Sequence, residues 1–88
     1  MIESTLLIDN ILGLHARAAA KVVSVASRYS AQISILKDER KVDAKSIMAL
    51  LMLGAARGTQ LKVCVEGEDE TQAMAELIDL FERKFDEE

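Results

Sequence analysis

Polar and apolar residues alternate from the second residue of the chain. Ile2, Leu6 and Ile8 can share one face and Glu3, Thr5 and Leu7 the other, which predicts a strand over 2–8. Residues 9–14 read as a loop in which Gly13 is free to take a backbone angle other residues avoid. From 16 to about 27 the period changes: Ala19, Val22, Val23 and Ala26 form a helical stripe. Residues 31–37 predict a second strand, 38–40 a turn, and 41–43 a short third strand. Ser46 opens a compact apolar helix over 47–53, with Gly54 as its C-terminal cap. Alternation returns over 60–66, where Leu61, Val63 and Val65 face away from Lys62 and Cys64. The last helix starts in the acidic group Glu68, Asp69 and Glu70 and ends near Arg83 and Lys84, complementing the helix dipole at both ends. Its stripe is Ala73, Leu77, Leu80, Phe81 and Phe85. The order βαββαβα predicts an α+β fold: an open-faced β-sandwich with a four-stranded antiparallel sheet and three helices on one face.

Composition bounds this picture. Eighty-eight residues predict one domain over 1–88 with a modest core, and since only Tyr29, Phe81 and Phe85 are aromatic, that core is aliphatic. No apolar run reaches the roughly 20 residues of a membrane span, and no basic-then-apolar signal segment opens the chain. A lone cysteine, Cys64, cannot form an internal disulfide, so a reducing cytoplasm is expected. On its strand Cys64 is expected to pack as a small hydrophobe rather than act in redox chemistry.

The net charge of −4 is unevenly spread. The first nine residues carry two acids and no base. Residues 10–62 carry three acids (Asp38, Glu39, Asp43) against nine bases, and residues 63–88 carry ten acids against Arg83 and Lys84. No acid occurs from Asn10 to Lys37, whereas Arg17, Lys21, Arg28 and Lys37 fall there. The chain's one histidine, His15, lies in that stretch, which is suited to an anion or an acidic partner. Nucleic acid is not expected, for there are neither aromatic stacking platforms nor a dense basic cluster.

His15 stands where the first helix begins, a position usually held by Ser, Thr, Asp or Asn. Most lone histidines are satisfied surface or core residues. Here, however, unpaired first-turn amides and the positive end of the dipole make an anion site. Arg17, two residues on, can fork onto phosphate or carboxylate oxygens. The local sequence has no carboxylate to compete for these donors or to orient the ring as a general base. An imidazole in this setting reads as a nucleophile whose N-phosphoryl product is cradled by the Ala16 and Arg17 amides and the Arg17 guanidinium. One histidine and a distant cysteine are a poor metal set, so no metal is expected. Neither a nucleotide-binding glycine loop nor a nucleophile elbow is present, so no cofactor is expected and the chain looks like something other enzymes act upon.

The segments "GLHARAAA" and "KSIMALLML", with the βαββαβα order over the whole chain, resemble the histidine-containing phosphocarrier family (HPr) of the bacterial phosphoenolpyruvate phosphotransferase system. The resemblance implies that His15 accepts a phosphoryl group on Nδ1 from enzyme I and passes it to a IIA domain or protein, with Arg17 steadying the group. It implies a carrier that is consumed and regenerated, not an enzyme, and a monomer is expected. Where the family motif commonly has proline this chain has Ala18, which keeps an amide and a good helix former. Ala18 and the acidic tail "FDEE" are compatible with the nitrogen-related branch (NPr), and sugar transport and the nitrogen-type circuit both stay open.

Ser46 reads from the residues as a helix N-cap. The resemblance adds a regulatory site for an ATP-dependent HPr serine kinase, whose phosphate would place charge beside the partner surface. The helix "IMALLML" is apolar almost all round, and a small domain cannot bury every face. Core packing accounts for most of Ile47, Leu50, Leu51 and Leu53, and Met48 and Met52 are expected to be exposed. The resemblance makes this helix, through Ile47, Met48, Leu51 and Met52, a contact for both enzyme I and IIA. The rival from another class is a regulatory protein-interaction module that works through this helix without phosphoryl transfer.

Overall fold

The computed structural model describes residues 1–87. The last residue of the acidic tail, Glu88, and with it the end of the expected 1–88 domain, lies outside the described residues. The elements are β1 (Ile2–Leu7), α1 (Ala16–Ala26), β2 (Gln32–Lys37), β3 (Arg40–Asp43), α2 (Ile47–Met52), β4 (Gln60–Glu66) and α3 (Glu70–Glu82), followed by a short 3-10 turn, Lys84–Asp86. One antiparallel sheet takes the order β1-β4-β2-β3, so β4 slots between two strands that precede it in the chain. This is the α+β open-faced sandwich expected, with α1, α2 and α3 on one face.

Register explains which side chains meet the helices. Ile2 pairs Val65, which pairs Ile33, and Ser4 pairs Val63, which pairs Ile35. Because strand side chains alternate, Leu6, Ile33, Ile35, Leu61, Val63 and Val65 all point into one aliphatic core. Against them pack Ala18, Ala19, Val22 and Ala26 of α1, Leu50 of α2, and Ala73, Leu77, Leu80 and Phe81 of α3. The open face carries the complementary row Glu3, Cys64, Ser34 and Asp43. Cys64 therefore lies on the open face, half-buried, and not among the core residues. Burial, with Glu3 beside it, pushes its thiol pKa up, which disfavours a reactive thiolate.

The elements differ from the expected ones in four places, each with a local cause. Ile8 leaves the strand but remains buried, exchanging backbone hydrogen bonds with Thr59 (2.9 Å) and Gly58 (2.7 Å). The β2–β3 turn is only Asp38 and Glu39, because Arg40 already pairs Lys37 and Asp38 takes φ +55°. Ile47 is 38% exposed, not core, and Leu53 is the cap residue after α2. Beyond Leu53, Gly54 (φ +63°) supplies the expected left-handed stop, and Lys37 Nζ donates to the carbonyls of Leu53 and Gly54, both at 3.1 Å.

The fourth difference concerns the ends of α3. Asp69 occupies the N-cap position but its side chain accepts no hydrogen bond from its own helix; its carboxylate accepts from the Ser30 (2.9 Å) and Ala31 (3.0 Å) amides just before β2. Those bonds hold it below the usual carboxylate range. At the other end no basic residue lies in the last turn, and the helix stops at Glu82. Lys84, Phe85 and Asp86 then adopt left-handed angles of +56°, +57° and +62°. Phe85 is thus off the helical stripe expected to carry it, yet it is fully buried against Phe81, with ring centroids 4.9 Å apart. This reversal carries the tail back toward the start of α1, where Lys21 Nζ donates to the Phe85 carbonyl at 3.0 Å.

Candidate functional site

The loop over residues 9–14 is built around a backbone that only glycine fits. Gly13 has φ +69°, and a Cβ there would stand 2.7 Å from the Ala55 carbonyl oxygen and 3.0 Å from Ala56 Cα. Leu14 donates to that same Ala55 carbonyl at 2.8 Å, tying the loop to the segment before β4. The Gly13 carbonyl accepts from the His15 amide (2.9 Å) and from Asn10 Nδ2 (2.7 Å). His15 is thereby fixed as the N-cap of α1, with φ −86° and ψ −176°, and its side chain makes no cap hydrogen bond. The first-turn amides of Ala16 and Arg17 precede any intrahelical acceptor, so they face outward as donors at the positive helix end.

The imidazole is about a quarter exposed, and it has a partner the local sequence does not contain. Nε2 hydrogen-bonds Glu87, which is 72 residues away in sequence. The other carboxylate oxygen of Glu87 accepts from Asn10 Nδ2 at 2.9 Å. The bond to His15, then that to Asn10, lowers the Glu87 pKa below the usual carboxylate range. Asn10 is 2% exposed and its side-chain carbonyl oxygen is buried without a partner among the described residues. The expectation of a histidine free of carboxylates thus holds for the neighbouring sequence and fails in space, because the left-handed turn after α3 delivers an acid to it. The one hint was the acidic tail itself; nothing in its spacing pointed to His15.

A cavity of about 540 Å³ is lined by Asn10 and Glu87 and by four cations, Arg17, Lys21, Arg57 and Lys84. Lys21 is bound to Asp86 (3.2 Å), and Arg57 and Lys84 both approach Asp9 (3.8 and 3.7 Å). Arg17 is exposed and makes no ion pair or side-chain hydrogen bond among the described residues, leaving its fork available to an anion. Among the described residues no cluster of three or more His, Cys, Asp or Glu could hold a metal ion. No helix among them is long and apolar enough to cross a membrane.

The second candidate region is α2, which packs against α1. Ser46 is its N-cap, with Oγ accepting from the Ala49 amide at 3.3 Å. Met48 and Met52 are exposed as expected, at 65% and 64%, Leu51 is half-buried and Leu50 is core. Ile11 and Leu12, in the loop just before His15, are also exposed large apolar residues, at 76% and 68%. Sequence reading passed over them because a loop has no periodicity against which an exposed apolar residue stands out.

Residues 2–83 match the family described as the phosphotransferase-system HPr component phosphorylation site. The chain is 52% identical over 81 residues to the phosphocarrier protein HPr of Pseudomonas aeruginosa, covering 91% of this chain and 90% of that protein. Among solved structures, HPr-C-His from Thermoanaerobacter tengcongensis superposes with a TM-score of 0.96 at 50% identity, over 100% of this chain and 99% of the other. An HPr dimer from the same organism gives a TM-score of 0.80 at 49% identity, over 99% of this chain and 100% of that one. Agreement of fold, length and identity at this level leaves one conclusion: the chain belongs to the HPr family of phosphotransferase-system phosphocarriers.

Proposed function

We propose that His15 is the residue through which the chain carries phosphate, accepting a phosphoryl group from enzyme I and giving it to a IIA domain or protein. The Nδ1 lone pair attacks phosphorus, an N–P bond forms and the bond from phosphorus to the donor breaks; the return step reverses this at the acceptor. The observation that carries the reading is His15 at an N-cap without a side-chain cap, next to an exposed Arg17 that makes no ion pair among the described residues. The Ala16 and Arg17 amides and the Arg17 guanidinium are the donors for the phosphoryl oxygens. No cofactor takes part, and the protein is substrate and donor in turn, acting as one unit in the cytoplasm and as a monomer. Incubation with phosphoenolpyruvate and catalytic enzyme I tests this. Wild type should acquire an acid-labile, base-stable phosphate and folded His15→Ala none. A folded wild type left unlabelled by the enzymes I of both the sugar and the nitrogen-type branches would transfer the role to an interaction module.

Docking is assigned to α2 on the strength of its exposed methionines, which adapt to differently shaped partners. Ile47 and Leu51 flank them. Met48→Asp is expected to weaken transfer from enzyme I by about tenfold or more without unfolding the protein, since a hot-spot truncation costs roughly 1–2 kcal/mol or more. Ser46→Asp, mimicking modification by an HPr serine kinase, should slow the same step through charge repulsion while keeping an N-cap. Steady-state transfer assays with circular dichroism as a folding control check both. Unchanged transfer in either variant would remove that residue from the docking surface.

A further inference from the structure

We propose that Lys37 and Arg40, at the ends of β2 and β3 that meet in the hairpin turn, are positioning residues for partner docking: their side chains hold the end of α2 and so fix the direction in which Met48 and Met52 meet a partner. The inference rests on α2 as the docking helix and adds to it two residues that lie outside both sequence motifs.

A helix leaves its last carbonyls without amide partners, and in α2, six residues long, these are a large share of the whole. Leu50 and Leu51 are answered from within, by the amides of Leu53 (3.1 Å) and Gly54 (3.3 Å). The next three carbonyls are answered from the hairpin. Arg40 Nη1 donates to Met52, and Lys37 Nζ donates to Leu53 and Gly54, both at 3.1 Å. Every carbonyl from Leu50 to Gly54 thus has a donor, and two cations stand at the negative end of the helix dipole. Lys37 and Arg40 are also register partners across the hairpin. Like charges directly opposite one another destabilise a sheet, and neither cation makes an ion pair among the described residues. What offsets their repulsion is the row of carbonyls they share.

A helix this short does not persist on its own residues. Ser46 Oγ caps its start, and Leu50 alone of its six residues is fully buried. The exposed methionines flank that one anchor and gain nothing from the core that would orient them. Arg40 bonds the carbonyl of Met52 itself, so the hairpin grips a residue that the partner is to meet. With α2 held at both ends, the entropy of ordering it is lost on folding and not again on docking. Without that hold the docking-competent fraction falls, and the apparent affinity falls with it.

Lys37→Met keeps the aliphatic stem and removes the donor. In transfer from enzyme I its KM should rise roughly five- to tenfold, the effect of losing a charged hydrogen bond. Its kcat should stay near wild type, because His15 and Arg17 are untouched. Adding Arg40→Met should raise KM further, and Lys37→Arg, which keeps a charged donor, should restore most of it. Amide hydrogen exchange on the free protein gives the second readout: the Leu53 and Gly54 amides should lose protection in Lys37→Met while those of α1 and α3 keep theirs. Raised KM with wild-type exchange would make Lys37 a direct partner contact and overturn the positioning role. Wild-type KM, or protection lost throughout the molecule, would overturn it as well. Exchange needs neither partner nor phosphoryl donor, so failure of the carrier reading shows separately, as an unlabelled wild type. Failure of α2 as the docking helix shows as a Met48→Asp protein that transfers normally.

Discussion

Gly13→Ala is expected to destabilise the fold by about 2–4 kcal/mol, combining the strain of a left-handed backbone at a non-glycine residue with overpacking. The two atoms that an added Cβ would strike, the Ala55 oxygen at 2.7 Å and Ala56 Cα at 3.0 Å, are both backbone. Neither can rotate away as a side chain would. The loop itself must shift, and with it the Gly13 carbonyl that receives both the His15 amide and the Asn10 side chain. A small domain has stability toward the low end of roughly 5–15 kcal/mol, so the loss is a large share of the total. Urea unfolding should show a lower midpoint at unchanged slope, and phosphoryl acceptance should fall in the fraction that remains folded. Gly13→Val should be little worse in its Cβ contact, since alanine already makes it. An alanine variant as stable as wild type would mean that the Ala55 segment yields easily and that the loop is not held as described.

Phe85→Ala is expected to cost about 3–5 kcal/mol, the usual range for deleting a fully buried aromatic ring. The residue is unusual in sitting between two others with left-handed angles, a backbone that costs about 1–2 kcal/mol per residue. Burial of the ring against Phe81 offsets that strain, helped by the Lys21 bond to its carbonyl. Without the ring, the turn should relax and Glu87 should leave His15 as the variant loses stability. Phe85→Leu, keeping most of the apolar volume, should retain both properties in large part. A loss below about 1 kcal/mol for the alanine variant would show that the ring is not part of the core.

Strands were legible because their chemistry is periodic. Leu61, Val63 and Val65 against Lys62 and Cys64 give β4 its observed limits, Gln60–Glu66. The start of α1 at His15 was legible for a different reason: a histidine in place of a capping residue, with Arg17 two positions on, is a local anomaly. Ile47 was less so. In a helix apolar nearly all round, periodicity does not tell a core face from a docking face, and the packing of α2 against α1 and β3 decided it. Glu87 and Asn10 were not legible at all, since their partnership depends on three left-handed residues that no hydrophobic pattern announces. The separation of 72 residues between Glu87 and His15 is closed by tertiary structure alone.

The placement of β4 between β1 and β2 has a consequence for the order in which the molecule assembles. β1 and β2 touch only through a strand that comes after both, so the sheet cannot close until some three-quarters of the chain is available. Loop closures this long slow folding, because their entropy is lost before the contacts that offset it are made. On the ribosome, an emerging chain therefore presents His15 long before Glu87, 72 residues later, can reach it. The contact between His15 and Glu87 thus forms only after β4 and α3 have been made.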